Sequence, residues 1–99
     1  MPRKLRITQP GQYHIINRGV ERRNIFMDDE DYTIFLDLLD NVRTSYNCII
    51  HCYCLMNNHY HLLIETTEDN ISDAIKYLNS YYSIYFNKKY KRVGHLWQG

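Results

Sequence analysis

The sequence has no apolar run approaching the ~20 residues that a membrane span requires, so no helical span through a membrane is expected. It also lacks internal repeats, low-complexity tracts and Gly/Ser-rich stretches, which leaves one domain spanning residues 1–99 as the reading. The basic start Met1-Pro2-Arg3-Lys4-Leu5-Arg6 is not followed by an apolar stretch, so it does not read as a signal peptide. Cysteines number three, an odd count that suits reduced thiols in a cytosol better than a disulfide framework. What is present is 99 residues at 12.0 kDa, 44% hydrophobic and 23% charged, a balance that is neither disordered nor membranous. Ten tyrosines are the one unusual count.

The net charge of +1 conceals a division along the chain. Residues 1–25 carry six Lys/Arg against Glu21 alone, residues 26–75 carry Arg43 against ten acids, and residues 76–99 carry five Lys/Arg against no acid. Folded side by side, the two ends would present a basic surface suited to a polyanion such as nucleic acid. Charge alone fits solvated, mutually balancing faces equally well.

Pro10-Gly11 marks a turn, and Gln12 to Arg18 after it reads as a strand that ends at Gly19. Asp28 is placed to cap a helix, with Asp29, Glu30 and Asp31 in its first turn, where the helix dipole favours acids. Tyr32, Phe35, Leu36, Leu39, Val42 and Tyr46 then share one face at helical spacing. Cys48 to Met56 and His59 to Glu65 are two strand-length runs separated by Asn57-Asn58, the pattern of an antiparallel hairpin. Asn70 or Ser72 can cap a second helix running to about Tyr90, with Ile71, Ala74, Ile75, Leu78, Tyr82 and Tyr85 as its buried stripe and Gly94 breaking it. His95 to Gly99 starts a further element. Strand, helix, strand, strand, helix is the α+β, ferredoxin-like (RRM-like) order: an antiparallel sheet with two helices on one face and the other face free.

His59-Tyr60-His61 carries the chemistry. Alternate residues of a strand point the same way and rise about 3.3 Å each, so two imidazoles on one face can lean onto a single metal ion. Tyr60, Leu62 and Ile64 point to the opposite, helix-covered side. Chance occurrence of His-x-His is common, and a merely exposed pair fits the triplet alone as well.

Leu55-Met56-Asn57-Asn58-His59-Tyr60-His61-Leu62-Leu63-Ile64-Glu65 resembles the HUH motif of the single-tyrosine transposases, nearest to the REP-associated tyrosine transposases and their insertion-sequence relatives. Gln12-Tyr13-His14-Ile15 with Asn17-Arg18-Gly19 resembles that family's first strand and following loop, and Asn24-Ile25-Phe26 its entry to the first helix. Leu78-Asn79, Tyr82, Phe86-Asn87 and Arg92 to Gly99 resemble its second helix and the turn beyond. Asn57 stands where many members have proline.

The resemblance implies a metal-dependent transposase and endonuclease acting on single-stranded or hairpin DNA. His59 and His61 would hold Mg²⁺ or Mn²⁺ with a third ligand from elsewhere. A tyrosine would attack the scissile phosphate to give a 5′-phosphotyrosine, which keeps the ester's energy for rejoining. In the family this tyrosine lies on a further helix, so it is expected beyond Gly99, with the 1–99 domain incomplete at its C-terminus; Tyr82 is the fallback within the chain. The resemblance also implies a bacterial-type cytoplasmic, nucleoid-associated protein without a membrane partner, either monomeric or homodimeric.

Arg18, Arg22 and Arg23, on or after the first strand, and Lys88, Lys89, Lys91 and Arg92, at the end of the second helix, are the candidate phosphate contacts. Cys48, Cys52 and Cys54 read as one strand face and as small hydrophobes of the core, because their spacing fits no compact zinc pattern. His14 and His51 read as sheet residues with hydrogen-bond partners, and Trp97 as packed against the second helix. Two other functions share this layout: a non-catalytic nucleic-acid module, whose sign would be exposed aromatics on the strands, and a metal nuclease using water. An interaction domain would explain neither the histidine pair nor the charge blocks.

Overall fold

The computed structural model describes residues 9–98. Arg3, Lys4 and Arg6 of the basic start lie outside the described residues. Strand β1 is Gly11–Arg18, helix α1 Asp29–Ser45, strand β2 Cys48–Leu55, strand β3 His59–Thr66 and helix α2 Ile71–Tyr90. The sheet order is β1-β3-β2, antiparallel throughout. Both helices cover one face, where β3 buries Tyr60, Leu62, Ile64 and Thr66. This is the expected α+β, ferredoxin-like arrangement. Beyond α2, Trp97 bridges Gly19 and the Gln98 N–H donates to the Arg18 carbonyl at 2.8 Å, so the element begun at His95 aligns antiparallel to the end of β1.

The core is aromatic at its centre. Phe35 meets Tyr60 at 4.9 Å and Tyr82 at 5.3 Å between ring centroids, and Phe26 closes the cluster against both Phe35 and Tyr82. Buried hydroxyls need partners: the Tyr60 OH donates to Asn79 Oδ1 at 2.7 Å and accepts from Asn17 Nδ2 at 2.8 Å, and the Tyr82 OH donates to the Ile25 carbonyl. Trp97 packs edge-on against Tyr60 at 5.5 Å and donates from Nε1 to the Asn79 carbonyl at 2.9 Å, the packing role expected of it.

Asp28 caps α1 as expected, its side chain accepting from the Asp31 N–H at 3.1 Å. Asp31 itself does more than complement a dipole. It is fully buried and accepts from Tyr85 Oη at 2.5 Å, Tyr90 Oη at 2.6 Å, the Met27 N–H at 2.8 Å and Lys89 Nζ at 3.0 Å. Burial pushes its carboxyl up, but these donors outweigh that and hold it at about 2. Helix α2 stops at Lys91, which takes the left-handed conformation (φ 56°), rather than at Gly94. Its buried stripe includes Phe86, while Tyr85 is half-buried and turned to Asp31.

Strand β2 departs from regular alternation. Ile50 pairs with Ile64 and Cys52 with Leu63, so His51 is an extra residue, a bulge. A one-residue slip reverses which side chains face the core. Cys48 is therefore buried on the helix side, whereas Cys52 and Cys54 are exposed, opposite Leu63 and His61. The expectation of one cysteine face packed in the core is corrected by this bulge.

Candidate functional site

The open face of the sheet carries the chemistry. Its rows, read across the strands, are Gln12–Glu65–Ile49, His14–Leu63–Cys52, Ile16–His61–Cys54 and Arg18–His59. His59 and His61 lie on this face as the strand period requires, with ring centroids 5.0 Å apart. His59 Nδ1 lies 2.8 Å from Asn58 Oδ1. An amide oxygen only accepts, so Nδ1 carries the hydrogen and Nε2 keeps its lone pair. Burial, the Arg18 charge and the neighbouring His61 each lower the His59 pKa, which favours the neutral form. His14 Nε2 stands 3.2 Å from His61 Nδ1, and His51 pairs with Glu65 at 2.8 Å, so both have the partners expected of them.

The turn after β1 is held against this histidine hairpin by main-chain bonds. The Asn58 carbonyl accepts from the Gly19 N–H at 2.9 Å, and the Asn57 carbonyl from the N–H groups of Ile25 and Phe26 at 2.8 and 3.3 Å. The role of Asn57 is thus played by a carbonyl that any residue, proline included, supplies. At Gly19 an added Cβ would stand 2.4 Å from the Arg23 carbonyl oxygen, so only glycine fits the turn without a shift. The Arg23 N–H closes the turn onto the Val20 carbonyl at 3.0 Å, with Glu21 and Arg22 at φ 53° and 60°. Two successive side-chain-bearing residues in the left-handed region are strained.

The outcome is a cleft of about 520 Å³ lined by Arg18, Arg22, Asn58, His59 and Gln98. Two guanidiniums beside an imidazole suit a phosphodiester. Asn58 and Gln98 were missed by sequence reasoning; the position of Asn58 beside His59 in the hairpin was the available signal. Arg23 is exposed and does not line this cleft. Of the α2 cations, Lys88 and Lys91 are exposed, and Arg92 donates to Asn87 Oδ1 at 2.6 Å. Lys89 is engaged elsewhere: its Nζ lies 2.8–3.0 Å from carboxylate oxygens of Asp28, Glu30 and Asp31. Its charge is spent joining α2 to the start of α1. Tyr82 is fully buried, and burial foremost, with the charge of Asp31 added, raises its hydroxyl far above the ordinary range. Such a hydroxyl cannot approach a phosphate, so the fallback nucleophile is set aside.

Among the described residues, no cluster of three or more His, Cys, Asp or Glu is placed to hold a metal ion. His59 and His61 are paired on the open face, and among the described residues no third His, Cys, Asp or Glu completes a metal-holding group with them. Among the described residues no helix is long and apolar enough to cross a membrane.

The fold is thus a ferredoxin-like sheet with paired histidines on its free face and arginines beside them. The chain belongs to the family of IS200-like transposases, whose model matches residues 8–99. It is similar to the structure of a REP-associated tyrosine transposase bound to a REP hairpin, with 16% identity and a TM-score of 0.74. That alignment covers 99% of this chain and 58% of the other, so the chain spans little more than half of that relative. It is also similar to a crystallised Deinococcus radiodurans R1 protein assigned as a transposase: 21% identity, TM-score 0.66, and 92% and 70% of the two chains. No curated protein sequence matches the chain significantly. At these identities the structures attest the fold.

Proposed function

We propose that this chain is the metal- and phosphate-holding part of a transposase that binds single-stranded or hairpin DNA, then cuts and rejoins it. The observation that carries the reading is the adjacency of His59, its Nε2 left free by Asn58, to Arg18 and Arg22 in one cleft. A divalent ion on His59 and His61 would supply Lewis-acid polarisation of a phosphoryl oxygen. Nitrogen donors favour Mn²⁺ over Mg²⁺ in such a place. Arg18 and Arg22 hold the phosphodiester's oxygens and offset the charge gathered on them during displacement. Lys88 and Lys91 extend the phosphate-contacting surface.

In the complete reaction a tyrosine oxygen bonds to phosphorus as the bond to the 3′ oxygen breaks. A 5′-phosphotyrosine remains, and the 3′-hydroxyl takes up the proton that the tyrosine gives. Reversal by another 3′-hydroxyl rejoins strands without an external energy source. Because the chain spans 58% of the hairpin-bound relative, that tyrosine, the third ligand and the homodimer belong to the proposal for the whole protein. The 1–99 segment is proposed as one domain of it, working at bacterial-type nucleoid DNA in the cytoplasm. The rival reading as a base-stacking module has one exposed strand aromatic in its favour, Tyr53 of β2, but Tyr53 pairs with the helix-side Leu62, and the open-face rows of the described strands carry no Phe, Tyr or Trp.

Calorimetry with Mn²⁺ and a fluorescently tagged DNA hairpin tests this. The native chain should bind Mn²⁺ and hold the hairpin more tightly in its presence, whereas His59→Ala/His61→Ala should lose the metal response. Identical Mn²⁺ titrations for the two proteins would overturn the metal site; hairpin affinity indifferent to salt would overturn the phosphate cleft.

A further inference from the structure

His14 lies on the open face of β1, in register with Leu63 and diagonal to His61. Its Nε2 stands 3.2 Å from His61 Nδ1, with ring planes 30° apart. At that distance one nitrogen donates and the other accepts, and the two arrangements have opposite consequences. If His14 donates, His61 Nδ1 accepts, and the hydrogen of the neutral His61 ring sits on Nε2, which blocks coordination there. If His61 donates from Nδ1, its Nε2 lone pair is free, as at His59, where Asn58 Oδ1 takes the Nδ1 hydrogen at 2.8 Å. Only the second arrangement makes the two imidazoles of the pair equivalent.

We infer that His14 is a positioning residue for His61: its Nε2 accepts the Nδ1–H, fixes the tautomer and orients the ring with Nε2 free to ligate. His14 and Asn58 then serve the two ligands in the same way from opposite sides, one from the neighbouring strand and one from the hairpin turn. Partners of this kind commonly change metal affinity by about ten- to a hundredfold. The choice of His61 as donor rests on the metal reading above, whereas the 3.2 Å contact itself does not.

Long-range ¹H–¹⁵N spectra of the metal-free chain, at a pH where the imidazoles are neutral, read the tautomers directly. His61 should show a protonated Nδ1 and a bare Nε2, and His14→Phe should move it towards Nε2–H. Because His14 is exposed, its replacement leaves the core in place. Mn²⁺ affinity should fall about tenfold or more in His14→Phe and recover in His14→Gln, whose amide oxygen still accepts. A native His61 found as Nε2–H would overturn the inference. So would His14→Gln losing as much affinity as His61→Ala, since His14 would then itself be a ligand. Should the native chain and His59→Ala/His61→Ala both fail to bind Mn²⁺, the metal reading falls, and the native spectrum alone upholds or overturns the tautomer.

Discussion

The turn that carries Arg22 sets stability against binding. Glu21 and Arg22 hold φ values of 53° and 60°, a conformation that costs a residue with a Cβ about 1–2 kcal/mol. Glycine removes that cost but loses about 0.5–1 kcal/mol more chain entropy on folding. Glu21→Gly and Arg22→Gly should therefore each stabilise by about 0.5–1 kcal/mol, a rise in Tm of several degrees for a domain of this size. On DNA the two should part. Arg22 lines the cleft with Arg18 and His59, so Arg22→Gly should weaken hairpin binding about tenfold, the effect of roughly 1.4 kcal/mol. It should also flatten the single-strand salt dependence by about 0.7 in logarithmic slope, one phosphate contact's worth. Glu21→Gly removes a negative charge and should leave affinity unchanged or raise it. Thermal unfolding and anisotropy titrations across a salt series measure both. A lower Tm for both variants would refute the strain argument, and an Arg22→Gly protein that binds as the native chain does would refute the role of the cleft.

Two further outcomes follow from buried groups. Asp31 is held at about 2 against an ordinary 3.8, so its ionised form contributes about 2 kcal/mol, present in full above pH 4 and lost as pH falls towards 2. The urea stability gap between the native chain and Asp31→Asn should close over that window; a gap constant from pH 7 to pH 2 would sink the assignment. Cys52 and Cys54 are exposed while Cys48 is buried, its thiol pushed up by burial and by Glu68. A thiol reagent should label two cysteines in the native state and the third only through unfolding; three equal rates would contradict the bulge at His51.

What the sequence disclosed and what it hid differ by the range of the interaction involved. The helices, the hairpin and the outward histidine pair rest on local periodicity, and Tyr60, Leu62 and Ile64 lie buried as alternation requires. The bulge does not rest on it. Cys48 to Leu55 alternates no worse as a regular strand than as a bulged one; only pairing with β3 reveals that His51 is supernumerary. Lys89 was hidden for a related reason. At the end of α2 it has the look of a free cation, and the chain joins it to Asp28 and Asp31 across about sixty residues. That ion-pair cluster draws the end of α2 onto the start of α1, so the basic block at the C-terminal end is smaller on the surface than in the composition. The cations left beside the histidine pair are Arg18 and Arg22. They reach it because Gly19 and the Asn57–Asn58 carbonyls fold the loop after β1 onto the hairpin. The approach of Arg18 and Arg22 to the hairpin is thus a product of main-chain hydrogen bonds between segments distant in sequence, whereas the outward placement of His59 and His61 is a product of strand period, which is local.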